Sequence, residues 1–195
     1  MQRQRLQSKS TAQIEAVNFI IYDLEATCWR GRPPHGANEI IEIGAYKLNQ
    51  YGETLGKFSR FVKPSVNPQL SYFCTKLTTI TQDQVDAAAT FPRVIEDFKD
   101  WIGLYDDYLL SAWGDFDIQM IRNDCNLHNL EQDWLEHYTN LKGQYHRIKN
   151  MNKYTGLKRT LIREGFEFTG VQHRAISDAD NLCKIFVKYI DEWRY

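Results

Sequence analysis

Two acidic residues at the end of an apolar run place the strongest constraint on how this chain folds. Residues 17–22 read VNFIIY, a short run of branched and aromatic side chains that predicts a buried strand. Asp23 and Glu25 follow this run directly. Side chains two residues apart on an extended chain point to the same side, so the two carboxylates are expected to lie together.

Such a pair is costly without a counter-ion. Close carboxylates repel each other, and burial beside an apolar strand disfavours their charged forms. Hard divalent cations such as Mg²⁺ and Mn²⁺ prefer oxygen ligands and would remove both costs. The alternative is a strand end that runs into solvent, because a D-x-E sequence is common at such ends.

The remaining pattern predicts an α/β fold. Further strands are expected at residues 39–48, 56–62, 108–112 and 134–141, and a turn at Tyr51, Gly52 and Glu53 joins the first two into a hairpin. Helices are expected at residues 81–88, 91–102, 116–127, 142–148, 156–163 and 177–193. A strand meander followed by alternating helices and strands indicates a central mixed five-stranded sheet with helices on both faces.

Composition limits the classes of protein that fit. With 195 residues, 43% of them hydrophobic, the chain suits one compact domain, predicted at residues 17–195 after a flexible tail at residues 1–16. No apolar run approaches the ~20 residues of a membrane span. Four cysteines without a CxxC pair are expected to be reduced thiols in a cytoplasmic protein.

Charge is unevenly distributed although the net charge is only −1. Residues 142–163 contain seven Lys or Arg and no Asp or Glu. Such a basic strip guides a polyanion, although a solvated helix face has the same composition.

Two further segments contain candidate site residues. Asp115 and Asp117 follow the strand at residues 108–112, where a helix begins, so either aspartate could serve only as a helix cap. His173 precedes Asp178 by five residues, and the last helix is expected to start between them. A capping aspartate and an ordinary loop histidine are the simpler interpretation of this segment alone.

The order of these segments resembles the DEDDh family of 3′–5′ exonucleases, whose fold is related to RNase H. The resemblance covers nearly all of residues 17–190, and it favours the ERI-like and KapD-like branch. The motifs that support this branch are DLEATC at residues 23–28, EIIEIG at 39–44, FVKP at 61–64, LTTITQDQVD at 77–86 and GDFD at 114–117.

The resemblance implies a site and a mechanism. Asp23, Glu25, Asp117 and Asp178 match the family's metal-binding carboxylates, and they would hold two divalent cations, Mg²⁺ or Mn²⁺. Glu25 is expected to take part in catalysis as well as in metal binding. His173 matches the general base that activates the attacking water, so a two-metal mechanism would release nucleoside 5′-monophosphates. Asp117 is preferred to Asp115 because the family motif places its aspartate after the aromatic residue.

The resemblance also implies where a nucleic-acid 3′ end would bind. Backbone near Ala26 and Thr27 would contact the terminal sugar, and Leu77 and Thr78 would lie beside the terminal base. Trp29 and Phe116 offer aromatic surfaces to bases. Expected partners are single-stranded or structured RNA, favoured over DNA, with a free 3′ end. Neither a membrane nor an obligate protein partner is expected.

Three other functions compete with this interpretation. An RNase H-type endonuclease shares the fold, but His173 favours an exonuclease. A non-catalytic nucleic-acid-binding scaffold would not require a competent residue at all five positions. A DNA proofreading subunit would need a surface that binds its polymerase.

Overall fold

The sheet at the centre of the fold has five strands in the order β3-β2-β1-β4-β5. The structure, a computed structural model, describes residues 17–105 and 107–195, and the predicted tail at residues 1–16 lies outside them. Strands β1 to β3 are antiparallel neighbours, whereas β4 runs parallel to both β1 and β5. The strands span Asn18–Ala26, Ile40–Leu48, Thr54–Phe61, Tyr108–Ala112 and Tyr138–Asn140.

Helices cover both faces of this sheet. In chain order, α1 to α7 span Tyr72–Thr78, Gln82–Asp86, Phe91–Ile102, Phe116–Leu127, Leu141–Ile148, Leu157–Arg163 and Ala175–Lys188. Helices α3 and α4 pack into the core on one face, and α5, α6 and α7 pack into the core on the other. No helix within the described ranges is long and apolar enough to cross a membrane.

Strand β1 is apolar because both of its faces are buried. Ile20 and Tyr22 belong to the core beneath α3 and α4, whereas Phe19 and Ile21 belong to the core beneath α7. The strand continues to Ala26, four residues beyond the predicted end. Asp23 therefore lies within the strand, on the face that α7 covers.

Helix α7 approaches β2 closely at one glycine. A Cβ atom on Gly44 would overlap the backbone of Ala175 and Ile176, where α7 begins. Only glycine allows this approach, so Gly44 sets how near the first turn of α7 lies to the sheet.

One buried carboxylate joins the three helices on one face of the sheet. Glu164, at the C-cap of α6, accepts hydrogen bonds from the Tyr145 and Tyr189 hydroxyls, at 2.7 Å each. It also forms ion pairs with Lys149 at 3.3 Å and Lys188 at 2.8 Å. Glu164 thereby links α5, α6 and the C-terminal end of α7.

Most predicted elements are confirmed, and the differences have local causes. The predicted strand at residues 134–141 is wrong in its first half, because Asp133–Leu135 forms a 3₁₀ turn before the three-residue β5. Helix α1, which no sequence prediction included, has Ser71 as N-cap, with its hydroxyl accepting from Cys74 N at 2.9 Å. Helix α7 begins two residues before its predicted start and ends five residues before its predicted end.

Candidate active site

Three carboxylates converge at the C-terminal end of β1. Asp23 and Glu25 point to the face covered by α7, and Asp178 lies in the first turn of that helix. Each residue offers one oxygen atom, and these oxygens all lie within 4.8 Å of one another. Residues 155 positions apart in sequence are thus brought into one acidic cluster.

The cluster is electrostatically unfavourable without a cation. Burial, followed by repulsion from Asp117, Asp178 and Glu25, raises the pKa of Asp23 well above its ordinary value. Burial, followed by repulsion from Asp178, raises the pKa of Glu25 to about 8. Carboxylates whose pKa is raised in this way are suited to bind a divalent cation, because the charge of the cation stabilises their ionised forms.

Asp117 lies beside this cluster on a different element. It is in the first turn of α4, 5% exposed, and its Oδ1 accepts a hydrogen bond from Leu24 N at 3.2 Å. Burial raises its pKa to about 7, despite the hydrogen bond from the Leu24 N–H. Asp115 is exposed and accepts a hydrogen bond from Asn140 Nδ2 at 2.8 Å, facing β5 instead. The geometry therefore favours Asp117 over Asp115.

His173 lies in the loop before α7, close to the acidic cluster. Its backbone has a φ of 61°, in the left-handed region, and its N–H donates to Asp178 Oδ2 at 2.8 Å. Burial raises the pKa of Asp178, and this N–H opposes the rise. Strained backbone of this kind persists where surrounding contacts impose it, often at functional sites. This hydrogen bond thus fixes the His173 loop relative to Asp178.

An ion pair that sequence reasoning did not identify holds this loop in place. Arg174 donates to Glu42 through Nε at 3.1 Å and Nη2 at 2.8 Å, and Ala175 N donates to the same carboxylate at 2.9 Å. The Glu42 side chain is 1% exposed. A glutamate in the buried strand sequence EIIEIG was the available signal, since a buried carboxylate requires a partner.

The acidic cluster, Asp117 and His173 line a cavity of about 620 Å³. This volume is within the ~300–1,000 Å³ typical of small-molecule sites. Phe116, 61% exposed, lines the cavity beside Asp117. Lys158 and Arg159 line another part of the wall, so cationic groups stand near the acidic cluster.

The other residues predicted to bind substrate lie outside the lining of this cavity. Ala26 and Thr27 are buried, and Thr27 Oγ1 accepts from Glu39 N at 2.9 Å. Thr78 is also buried, with its hydroxyl donating to Cys74 O at 2.9 Å. Trp29 and Leu77 are half-buried. Their proposed contacts with a 3′ end stay predictions.

Known proteins share sequence and fold with this chain. The family model described as RNase T, Exonuclease, matches residues 20–186. Human 3′-5′ exoribonuclease 1 is 35% identical over 181 residues, which are 88% of this chain and 52% of the relative. The chain thus spans about half the length of this curated relative.

Two solved structures are similar over most of the chain. The nuclease domain of 3′hExo, a DEDDh family member bound to rAMP, is 33% identical with a TM-score of 0.85, covering 94% of this chain and 98% of that domain. A 3′-exonuclease described as recognising a histone mRNA stem-loop is 33% identical with a TM-score of 0.83, covering 89% of this chain and 63% of that one. The predicted RNase H-like exonuclease fold is confirmed.

The family match extends over most of the chain, and the 3′hExo domain is matched over nearly its full length. This chain belongs to the RNase T exonuclease family, in its DEDDh group.

Proposed function

We propose that this chain is a metal-dependent 3′–5′ exonuclease that shortens RNA from its 3′ end and releases nucleoside 5′-monophosphates. The observation that carries the proposal is the convergence of Asp23, Glu25 and Asp178 within 4.8 Å, in a cavity that Asp117 and His173 also line. The family membership supports the same reaction.

The acidic residues would bind the cations that the reaction requires. Asp23, Glu25, Asp117 and Asp178 would hold two divalent cations, Mg²⁺ or Mn²⁺. When bound, such ions acidify water and stabilise negative charge on a leaving oxygen. The raised pKa values of Asp23 and Glu25 support this assignment, because four neighbouring carboxylates, of which Asp117 is buried and the others half-buried, repel one another without positive charge.

His173 would act as the general base. Its imidazole would take a proton from the water that attacks the terminal phosphodiester, and the P–O bond to the 3′ oxygen of the preceding nucleotide would break. That oxygen leaves with a proton from solvent as the new 3′ hydroxyl. The hydrogen bond from His173 N to Asp178, at 2.8 Å, supports the base by fixing the loop relative to the acidic cluster.

RNA is the proposed substrate because of what the relatives act on. One relative is named as an exoribonuclease, another is bound to rAMP, and a third is described with a histone mRNA stem-loop. The family resemblance implies that the backbone near Ala26 and Thr27 would contact the terminal sugar, with Leu77 and Thr78 beside the terminal base. The exposed ring of Phe116 would contact a base at the cavity.

The proposed function can be tested with uniformly labelled single-stranded RNA, single-stranded DNA and duplexes, each with Mg²⁺, Mn²⁺ or chelator. Stepwise shortening of RNA with mononucleotide products, abolished by chelator, is expected. Oligonucleotide products would favour an endonuclease, and absence of cleavage from every substrate would favour a binding scaffold. Asp117→Asn should abolish cleavage, whereas the matched control Asp115→Asn should keep it.

A further inference from the structure

A second cavity, which the proposed chemistry does not use, lies beside the catalytic one. It has a volume of about 480 Å³ and is lined by α5 and the loop that follows, including His146, Arg147, Asn150, Asn152 and Tyr154. We call it the α5 pocket. No carboxylate lines it, which distinguishes it chemically from the acidic catalytic cavity.

One segment, residues 154–156, contributes to the lining of both cavities. Trp113 lines the catalytic cavity, and its indole Nε1 donates to Thr155 O at 3.3 Å. Thr155 separates Tyr154, which lines the α5 pocket, from Gly156, which lines the catalytic cavity. A strand that left the catalytic cavity past Gly156 would reach Tyr154 two residues away along the same segment.

Tyr154 presents a fixed aromatic surface to solvent. Its side chain is 72% exposed, yet its ring lies 4.7 Å from the ring of His146. His146 is itself held, because Nδ1 donates to Lys142 O at 2.6 Å and Nε2 accepts from Thr155 N at 3.0 Å. Exposed aromatic rings held by their surroundings are surfaces on which nucleic-acid bases stack.

Positive charge flanks this ring. Lys142 Nζ lies 5.6 Å from the Tyr154 ring centroid, and Arg147 is exposed, with no carboxylate partner in the described part of the chain. Lys149, from the same basic strip, is instead paired with Glu164 at 3.3 Å. Arg147, which lines the α5 pocket, and Lys142, beside the Tyr154 ring, are thus available to a phosphate, whereas Lys149 has a structural role.

We propose that the α5 pocket binds a nucleotide of the substrate strand upstream of the scissile bond, with its base against Tyr154 and its phosphate near Lys142 and Arg147. This inference rests on the proposed function. The side-chain amides of Asn150 and Asn152 offer both donors and acceptors, and a stacked base requires no particular identity. The pocket therefore lengthens the binding site without selecting a sequence.

The test is steady-state kinetics on a ladder of single-stranded RNA from the dinucleotide to the octanucleotide. Tyr154→Ala should raise KM for the longer substrates by about 5- to 160-fold, the effect of losing one stacked base. Neither kcat nor the kinetics of the dinucleotide should change, because that substrate does not reach the α5 pocket. The dinucleotide thus also reports whether the variant folds.

Two further variants sharpen this test. Arg147→Gln, at an exposed position, should raise KM for the long substrates alone and make this KM less dependent on salt concentration. Tyr51→Ala is the matched control, because Tyr51 is 73% exposed in the β2–β3 turn, at the opposite end of the sheet from the acidic cluster. It should behave as the wild type at every length.

The proposal for the α5 pocket and the proposed exonuclease function would be refuted by different results. The proposal for the α5 pocket would be refuted if Tyr154→Ala and Arg147→Gln had the wild-type KM for every substrate. It would also be refuted if both variants impaired cleavage of the dinucleotide and the octanucleotide equally. In either case the proposed exonuclease function would stand. If the wild-type chain shortened no RNA at all, the proposed function would fail, and the role of the α5 pocket with it.

Discussion

Arg174 and Glu42 form a two-point ion pair, at 3.1 and 2.8 Å, that joins β2 to the residue between His173 and α7. Glu42 lies opposite Glu25 in the β1–β2 pairing. The same carboxylate also accepts from the first residue of α7. A single buried glutamate thus fixes the loop of His173 and the helix of Asp178 relative to the strand that holds the other two carboxylates.

Removing this charge should affect stability and catalysis together. Glu42→Gln leaves Arg174 without its counter-charge in a mostly buried position, so the free energy of unfolding should fall by about 2–4 kcal/mol. Because the His173 loop loses this ion pair, although it keeps its hydrogen bond to Asp178, kcat should fall at least tenfold. Urea denaturation and single-turnover kinetics measure the two effects.

The control for Glu42→Gln is Glu96→Gln, which removes the exposed ion pair with Lys99 on α3. It should change stability by less than about 0.5 kcal/mol. If Glu42→Gln were as stable and active as this control, the ion pair would have no positioning role.

Gly44 should tolerate no side chain. Gly44→Ala places a methyl group against the backbone of Ala175 and Ile176, which cannot move aside as a flexible side chain would. We expect a loss of about 3 kcal/mol in unfolding free energy. Gly31→Ala, with open space around its Cβ, is the control and should be near neutral in urea denaturation. Equal denaturation midpoints would show that α7 does not depend on this approach.

Low pH should reduce the free energy of unfolding, because Glu164 forms its ion pairs with Lys149 and Lys188 only while it is ionised. Burial alone would raise its pKa, but hydrogen bonds from Lys188, Tyr189, Tyr145 and Lys149 outweigh burial and lower it from 4.5 to about 2. A depressed pKa means that the carboxylate stabilises the fold fully above pH 4.5 and loses this effect as pH falls towards 2.

Denaturation of the wild type and Glu164→Gln at several pH values measures this contribution. The wild type should be more stable by up to about 3 kcal/mol near pH 6. The difference should shrink steadily between pH 4.5 and 2. A difference that stayed constant over this range would contradict the assignment of the shift to Glu164.

His173 should matter for turnover more than for binding. His173→Ala removes the proposed base but none of the carboxylates, so kcat should fall by about 10²–10⁴-fold. The Kd for a short RNA, measured in Ca²⁺ by fluorescence anisotropy, should change less than threefold. Val171→Ala, at an exposed position two residues away and outside the cavity lining, is the matched control and should keep the wild-type kcat. Normal turnover in His173→Ala would remove the histidine from the mechanism.

The sequence pattern predicted the elements that alternate clearly between apolar and polar residues. Helices α3 and α4 and strand β4 have the predicted bounds, because each begins or ends at a clear change in pattern. Helix α1 was missed because only Cys74 and Thr78 of its seven residues are buried. A short helix defined by its cap gives little periodic signal.

The site was only partly predictable for a similar reason. The spacing of Asp23, Glu25 and Asp178 indicated carboxylates at element ends, which local sequence patterns reveal. The partnership of Glu42 with Arg174 joins residues 132 positions apart, and no local pattern encodes such a distance. The α5 pocket likewise depends on how the loop after α5 folds back over His146.

The most direct test of the account is a Mn²⁺ titration of the wild type, Asp23→Asn and Asp115→Asn by isothermal calorimetry. The proposal predicts that the wild type and Asp115→Asn bind Mn²⁺ alike. Asp23→Asn should bind it at least a hundredfold more weakly, while its metal-free form unfolds at a higher temperature, because repulsion within the acidic cluster is relieved. Wild-type Mn²⁺ affinity in Asp23→Asn would contradict the claim that the converging carboxylates form a metal site.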